Sequence, residues 1–198
     1  MTVPSGAAVS DTAARPVFTL TVMVTSDGFI ARDPSDNPAI WASPEEQALF
    51  FSDVDAADWA IMGRHTHQVA DRPDRRRIVL SSAGGGWKRP TQLWLDPAGI
   101  GPADLRAHVA HRHPMQNGLI LGGTRVHDWF LAARCIDRVH LTIEPLTFGT
   151  GVPLFSNQVG ADPEAILISA GFGQHSGRIL NRLGTRHQVW LPAEAAGS

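Results

Sequence analysis

The sequence predicts an α/β fold with a mostly parallel central sheet, helices on both faces and an antiparallel hairpin at the C-terminal edge. Short apolar runs alternate with helical patterns through most of the chain, which is typical of parallel strands joined by crossover helices. The first run, 17–24, is apolar on both faces, as a central strand should be. Two late strands are predicted at 166–169 and 187–191, with a long hairpin between them.

Composition is that of an ordinary globular chain. Of the 198 residues, 43% are hydrophobic and 18% charged, and the net charge of −2 favours neither nucleic acid nor an anionic membrane as a partner. One cysteine, Cys135, excludes an internal disulfide and fits a reducing, cytoplasmic setting. No secretory signal or membrane-spanning run is visible. Residues 1–16 and 193–198 are expected to be a disordered extension and a flexible tail on a single domain, 17–192.

A strand, a glycine pair and a helix follow one another between 118 and 131. Gly122 and Gly123 carry no Cβ, so a ligand can lie against their backbone. The helix that begins after them offers unpaired N–H groups and a positive dipole end, which suit a phosphate group. A tight strand-to-helix turn with nothing bound would give the same pattern.

Three carboxylates are candidates for chemistry. Glu46 lies in the first turn of a helix that Ser43 caps, where it either acts on a substrate or accepts the Ser43 N–H in a capping box. Asp27 follows the first strand in a glycine turn, and Glu144 ends an alternating strand whose polar face includes Thr142. Ligands of open α/β sheets bind at the carboxyl ends of strands, so Asp27 and Glu144 either face a substrate or serve only a turn and a solvated strand end.

Small, polar or basic residues follow two more predicted strands, 58–62 and 78–80. They are Gly63, Arg64, Thr66, Ser81 and Ser82. Arg75 belongs to a run of three arginines and either binds a substrate anion or lies in a solvated loop. His108 and His111 share a helix face, but no third ligand converges with them, so no metal site is expected.

Several motifs are similar to those of dihydrofolate reductase. They are Gly63-Arg64-His65-Thr66 with 75–81, Gly122-Gly123-Thr124-Arg125-Val126, and Trp41-x-x-Pro44-x-Glu46. Two others, Ser26-Asp27-Gly28 and Pro-Leu-Thr-Phe-Gly-Thr-Gly-Val-Pro-Leu-Phe at 145–155, resemble the reductase domain of the riboflavin-biosynthesis deaminase–reductase. His127 stands where dihydrofolate reductases usually have Tyr, and the chain contains no Tyr.

The resemblance covers roughly residues 17–191 and implies the three-layer dihydrofolate reductase-like fold with NADPH as cofactor. It implies that the backbone of Gly122, Gly123 and Thr124 holds the pyrophosphate and that Arg64 meets the 2′-phosphate. Further cofactor contacts are expected from Gly63, Thr66, Ser81, Ser82 and Arg125. It also implies a catalytic acid at Glu46, with Asp27 and Glu144 as rivals, and substrate contacts from Trp41, Thr142 and Arg75.

The implied activity is hydride transfer from NADPH to a small pyrimidine- or pterin-type heterocycle. The riboflavin-type motifs point most closely to 5-amino-6-(5-phosphoribosylamino)uracil reductase, and those relatives imply a homodimer. A true dihydrofolate reductase is the first alternative. A nucleotide-binding or scaffold protein that kept the fold and lost catalysis is the second.

Overall fold

A computed structural model of the chain describes residues 15–193. The strands within this range are β1 (Val17–Thr25), β2 (Phe29–Ala31), β3 (Trp59–Gly63), β4 (Arg77–Leu80), β5 (Gly86–Arg89), β6 (Gln92–Leu95), β7 (Asn117–Gly122), β8 (Arg138–Glu144), β9 (Val152–Pro153), β10 (Phe172–Ile179) and β11 (Arg186–Pro192). The α-helices are α1 (Pro44–Ala56), α2 (Arg64–Val69), α3 (Leu105–Val109), α4 (Thr124–Ala132) and α5 (Pro163–Ser169).

The central sheet has the order β10-β11-β8-β1-β7-β3-β4-β6-β5. Its six inner strands, from β8 to β6, run parallel to one another, whereas β5, β11 and β10 are antiparallel to their neighbours. The remaining strands, β2 and β9, form a separate small antiparallel pair. This arrangement confirms the predicted mostly parallel sheet with an antiparallel C-terminal edge.

The neighbouring strands β1 and β7 separate towards their carboxyl ends. β1 pairs with β7 only as far as Leu20 and Ile120. Beyond that point β1 continues beside β8 up to Thr25, while β7 continues beside β3 up to Gly122. The carboxyl ends of β1 and β7 are therefore not joined by backbone pairing, which leaves space between two neighbouring strand ends.

The two faces of the sheet differ in polarity. Alternate residues of β1, such as Phe18, point to an apolar core under α4, where the Phe18 and Phe130 ring centroids lie 5.0 Å apart. The residues between them, such as Thr21, point towards α1, where the Thr21 hydroxyl donates to Asp53 at 2.7 Å. The layer under α1 therefore contains buried polar groups that need partners.

The prediction of a strand at 166–169 is wrong, because these residues belong to α5. The Asp162 side chain accepts the N–H groups of Glu164 and Ala165, and Pro163 occupies the first helical turn. The strand that pairs with β11 is instead β10, in the predicted hairpin region. Its side chains after Phe172 are exposed on both faces, so no hydrophobic period marks it.

The predicted flexible ends lie almost entirely outside the described residues. Of the first sixteen residues only Arg15 and Pro16 are described, and the Arg15 guanidinium forms a bidentate pair with Asp137. None of the helices in 15–193 combines the length and the apolar character needed to cross a membrane. Over the same range, no three His, Cys, Asp or Glu side chains converge as a metal ion would require.

The core tolerates no extra atom at Gly118 of β7. A Cβ there would lie 2.5 Å from Phe18 Cδ1 and 3.1 Å from Ile61 Cδ1. We expect Gly118→Ala to lower the free energy of unfolding by about 2 kcal/mol, because a fully buried phenyl ring must move. Gly173→Ala on the edge strand, where a Cβ has no neighbour within 4 Å, is the matched control and should change it by less than about 0.5 kcal/mol. Equal urea midpoints for the two variants would contradict this packing.

Candidate active site

Five adjacent parallel strands bring their carboxyl ends to one edge of the sheet. In sheet order, the terminal residues are Glu144 of β8, Thr25 of β1, Gly122 of β7, Gly63 of β3 and Leu80 of β4. The predicted catalytic residues thus lie on one side of the separation between β1 and β7, and the predicted cofactor residues on the other. Such a separation of neighbouring strand ends is where open α/β sheets bind ligands.

The two glycines after β7 serve different purposes. A Cβ on Gly123 would meet only the Ile30 Cδ1 methyl, 4.0 Å away, so this backbone is open to close approach. A Cβ on Gly122, whose φ is +95°, would lie 2.5 Å from His127 Nε2. The missing side chain of Gly122 therefore makes room for the protein's own imidazole, and only Gly123 fits the predicted role of a bare surface for a ligand.

The first turn of α4 presents donors beside Gly123. The Val126 and His127 N–H groups bond to the Gly123 carbonyl, at 2.8 and 3.2 Å. The N–H groups of Thr124 and Arg125, the first in the helix, have no partner inside the helix. The Thr124 hydroxyl donates to the Pro153 carbonyl at 2.5 Å, so Thr124 can offer a ligand its backbone rather than its side chain.

The His127 side chain packs against the Gly122–Gly123 turn. It is buried, and its Nδ1 lies 2.9 Å from the Leu154 carbonyl, which assigns the proton to Nδ1. Burial lowers the pKa of His127 to about 4, although the Leu154 carbonyl opposes the shift. The neutral ring therefore joins α4 to the segment after β9, with its unprotonated Nε2 turned towards Gly122. Sequence reasoning noted His127 only as a departure from Tyr.

The other predicted cofactor residues lie around the ends of β3 and β4. Gly63 ends β3 beside Gly122 and Val126, and Arg64 is exposed at the start of α2. Ser81 and Ser82 follow β4, with the Ser81 Oγ accepting the Ala83 N–H at 3.4 Å. These groups lie along the same sheet edge as Gly123. Thr66, half-buried, and Arg125, exposed, occupy the first turns of α2 and α4.

Glu46 is a buried carboxyl group that receives no hydrogen bond from the described residues. Ser43 caps α1, since its Oγ accepts the Glu46 N–H at 3.3 Å. The reciprocal half of the capping box is missing, because the Ser43 N–H donates to Glu144 Oε1 at 2.8 Å instead. No residue within 15–193 donates to the Glu46 carboxylate, which is consistent with a group reserved for an external partner.

The surroundings of Glu46 favour its protonated form. Burial is the main cause, and the negative charges of Glu144 and Asp53 add to it; together they raise the pKa of Glu46 to about 7. A carboxyl group with this pKa is present in both forms near neutral pH, so it can donate a proton there.

The geometry does not support the predicted catalytic role of Glu144. Its Oε1 accepts the Ser43 N–H, and its Oε2 accepts the Thr185 hydroxyl at 2.6 Å. Both oxygens are therefore used to join β8 to the start of α1 and to the turn before β11. The Glu144 charge also contributes to the raised pKa of Glu46.

Asp27 holds a loop in place. Its carboxylate accepts the Thr25 hydroxyl at 2.5 Å, the Gly149 N–H at 2.7 Å and the Phe148 N–H at 3.1 Å. Burial opposes ionisation, but these hydrogen bonds together lower the pKa of Asp27. A carboxylate that stays ionised and fully engaged is an anchor for the segment after β8, not a proton donor.

Trp41, five residues before Glu46, and Thr142, two residues before Glu144, are two further predicted substrate residues. The Trp41 indole packs edge-on against Phe148, with ring centroids 5.2 Å apart, and its buried Nε1 has no partner in the described chain. Arg32 covers the same Phe148 ring at 4.6 Å. The Thr142 hydroxyl lies 3.3 Å from His187 Nδ1. Trp41 and Phe148 form an aromatic wall, with an open groove of about 430 Å³ beside Phe148.

Arg75 lies at the opposite end of the parallel strands from Glu46, so the geometry does not support its predicted substrate role. It precedes β4, at the amino ends of the parallel strands, and its guanidinium pairs with Asp55 near the end of α1. α1 begins at the site and runs away from it, which places Asp55 and Arg75 far from Glu46.

Sequence reasoning missed Asp53, His140 and His187, which form a polar layer under α1. The His140 Nδ1 lies 2.8 Å from Asp53 Oδ2, and the two imidazole centroids are 5.8 Å apart. The sequence signal that could have identified these residues is the periodicity of β8 and of α1. His140 shares the polar face of β8 with Thr142, and Asp53 is two helical turns after Glu46.

The raised pKa of Glu46 predicts a pH-dependent stability. Its folded-state pKa of about 7 lies above the ordinary value of 4.5, so its favourable contribution is complete below 4.5 and is lost as the pH rises through 7. The wild type should therefore lose stability between pH 5 and pH 8, whereas Glu46→Gln has no such ionisation. The difference in unfolding free energy between Glu46→Gln and the wild type should shift by about 2 kcal/mol in favour of the variant over this range. Denaturant titrations at both pH values measure it. Glu45→Gln, an exposed neighbour in the same turn, should show no such gain.

A comparison with protein families matches residues 108–167 to the RibD C-terminal domain. The matched stretch is less than a third of the chain and includes β7, the Gly122–Gly123 turn, α4 and β8. Among curated protein sequences, none matches the chain at a significant level.

Solved structures share the fold at low sequence identity. A Shewanella sp. PV-4 protein assigned to riboflavin biosynthesis is 18% identical with a TM-score of 0.66, over 88% of this chain and 98% of its own. The Thermotoga maritima diaminohydroxyphosphoribosylaminopyrimidine deaminase/5-amino-6-(5-phosphoribosylamino)uracil reductase is 16% identical with a TM-score of 0.65, over 90% of this chain and 57% of its own. The Enterococcus faecalis dihydrofolate reductase complexed with NADP(H) and RAB-propyl is 15% identical with a TM-score of 0.61, over 88% and 95%.

These likenesses fit the architecture described above, with a mostly parallel sheet between helices and an antiparallel pair at one edge. The chain shares the fold of these solved structures, and residues 108–167 resemble the RibD C-terminal domain.

Proposed function

We propose that the protein is an NADPH-dependent reductase of a small pyrimidine-type heterocycle, closest in type to 5-amino-6-(5-phosphoribosylamino)uracil reductase. The observation that carries this proposal is the placement of Glu46 and Gly123 at one sheet edge. Glu46 is a buried carboxyl group that receives no hydrogen bond from residues 15–193, and it lies beside Glu144 at the end of β8, on the β1 side of the separation. The open Gly123 turn follows β7, on the other side. The family match over 108–167 and the structural likeness to riboflavin-type reductases support it.

The residues along the β7–β3–β4 edge suit a dinucleotide phosphate. The Gly123 backbone is open to close approach. The N-terminal end of α4, with its first N–H groups and the positive end of the helix dipole, begins directly after it. Arg64 is exposed at the start of α2, where a guanidinium suits a 2′-phosphate, and Ser81 and Ser82 lie nearby. When bound, NADPH supplies the hydride, and the protein supplies position and electrostatics.

Glu46 supplies the proton in this proposal. Hydride addition to a C=N carbon leaves negative charge on nitrogen, which needs a proton from a nearby acid. The protonated Glu46 carboxyl group can donate it near neutral pH, because its pKa is raised to about 7. The Trp41 and Phe148 wall would pack against the flat ring and exclude water from it.

Dihydrofolate is the second candidate substrate. The observations that favour it are the Trp41-x-x-Pro44-x-Glu46 motif at the start of α1 and two buried polar residues, Glu46 and Thr142. The Enterococcus faecalis reductase supports the fold for this alternative. Turnover assays with dihydrofolate and with the phosphoribosylaminouracil separate the two candidates.

The proposal extends to a cytoplasmic homodimer whose working domain spans 17–192. Resemblance to the riboflavin-type reductases supports the dimer, and the single cysteine supports a reducing compartment.

Cofactor preference tests the proposed NADPH site. We expect tryptophan fluorescence to show saturable binding of NADPH that is tighter than that of NADH. Arg64→Gln should weaken NADPH binding by about tenfold and leave NADH unchanged, because it removes a charge-assisted contact to the 2′-phosphate. Arg72→Gln, another exposed arginine, is the control. Failure of both nucleotides to bind would favour the non-catalytic alternative, a scaffold protein that kept the fold.

Turnover tests the proton donor. With the correct substrate, Glu46→Gln should lower kcat/KM by about a hundredfold or more, because glutamine cannot donate the proton. The same substitution at Glu45, which is exposed and bonded to Asn181, should leave turnover at the wild-type level. Steady-state rates across pH 5–9 measure both variants. A Glu46→Gln enzyme with unchanged rates at every pH would remove this residue from the mechanism.

A further inference from the structure

Three carboxyl groups lie together between α1 and the sheet. Glu46 and Asp53 project from α1, two helical turns apart, and Glu144 ends β8. Glu46 and Glu144 are 6% and 4% exposed, and the Asp53 side chain is 20% exposed. The negative charges of Glu144 and Asp53 both oppose the ionisation of Glu46, so the hydrogen-bond donors around the three groups determine where a proton is retained.

The donors are distributed unequally among the three groups. Glu144 receives the Ser43 N–H and the Thr185 hydroxyl. Asp53 Oδ2 receives the Thr21 hydroxyl at 2.7 Å and lies 2.8 Å from His140 Nδ1. Glu46 receives none from the residues described. The hydrogen bonds therefore stabilise the anions of Asp53 and Glu144 and leave the proton to Glu46.

We propose that Asp53, held by His140 and Thr21, is a positioning residue whose fixed negative charge keeps the proton on Glu46. The inference deepens the proposed function, since a retained proton is what a donor to a substrate nitrogen requires. It also makes a claim about Glu46 that holds without any ligand, so it can be tested separately from turnover.

The remaining charged groups around this layer are few. β8 contributes His140 and Glu144, β11 contributes His187, and Arg178 of β10 acts on His187. β1 contributes only hydroxyl groups, such as that of Thr21. Burial lowers the pKa of His187, and the charge of His140 acts in the same direction, so this ring is mainly neutral at pH 7. Among these groups, Asp53 is the carboxylate that can be neutralised without breaking the Ser43 cap.

The test follows the titration of Glu46 itself in the full chain without ligands. Carboxyl carbons are labelled with ¹³C-glutamate, and Glu46→Gln assigns the resonance. Asp53→Asn is nearly isosteric and can keep both hydrogen bonds, but it removes the charge. We expect the midpoint of the Glu46 titration to fall by roughly half a pH unit. Asp55→Asn, the matched control on the exposed side of α1, should leave the midpoint unchanged.

A second variant separates charge from local packing. His140→Gln removes the imidazole but keeps the Asp53 anion, so the midpoint should not fall. An unmoved midpoint in Asp53→Asn, or an equal fall in His140→Gln or Asp55→Asn, would overturn the proposal. If the midpoint falls while the alkaline limb of kcat/KM stays in place, the role of Asp53 stands and Glu46 is not the proton donor.

Discussion

The separation of β1 from β7 beyond Leu20 and Ile120 is the constraint on which the site depends. Each strand keeps one paired neighbour beyond this point, so the sheet remains continuous through β8 on one side and β3 on the other. Backbone groups at the free edges face a common space instead of each other. This space leaves room for a heterocycle on the β1 side and a dinucleotide on the β7 side, at the carboxyl ends of the strands. Neither would disturb the apolar core under α4.

The polar layer under α1 follows from that geometry. α1 begins at the open end of β1, so its first turn carries Glu46 to the site while its later turns cover β1 and β8. Because this face carries Thr21, His140 and Glu144, the helix is held by hydrogen bonds as well as by apolar contact. The same hydrogen bonds stabilise two anions, and they leave Glu46 as the group whose ionisation is unfavourable.

The sequence predicted the local patterns well and the long-range partners poorly. Apolar runs and caps identified β1, α1, β7 and α4, because hydrophobic periodicity and helix capping depend on residues that are close together in the sequence. Exposed β10 carries no period, and the short apolar run 166–169 was assigned to a strand although Asp162 and Pro163 mark a helix start. The role of Glu144 could not be predicted, since its donors Ser43 and Thr185 are distant in the chain and come together only in the fold. For the same reason the His127 contact with Gly122 was not foreseen.

We propose that a nicotinamide cofactor at Gly123 and a protonated Glu46 act on the same space between β1 and β7. A crystal structure of the protein with NADPH would show where the cofactor binds. We expect the pyrophosphate against Gly123 and the first turn of α4, with the nicotinamide in the separation and facing Glu46. A cofactor bound elsewhere, or a nicotinamide ring shielded from Glu46 by the protein, would rule out this arrangement.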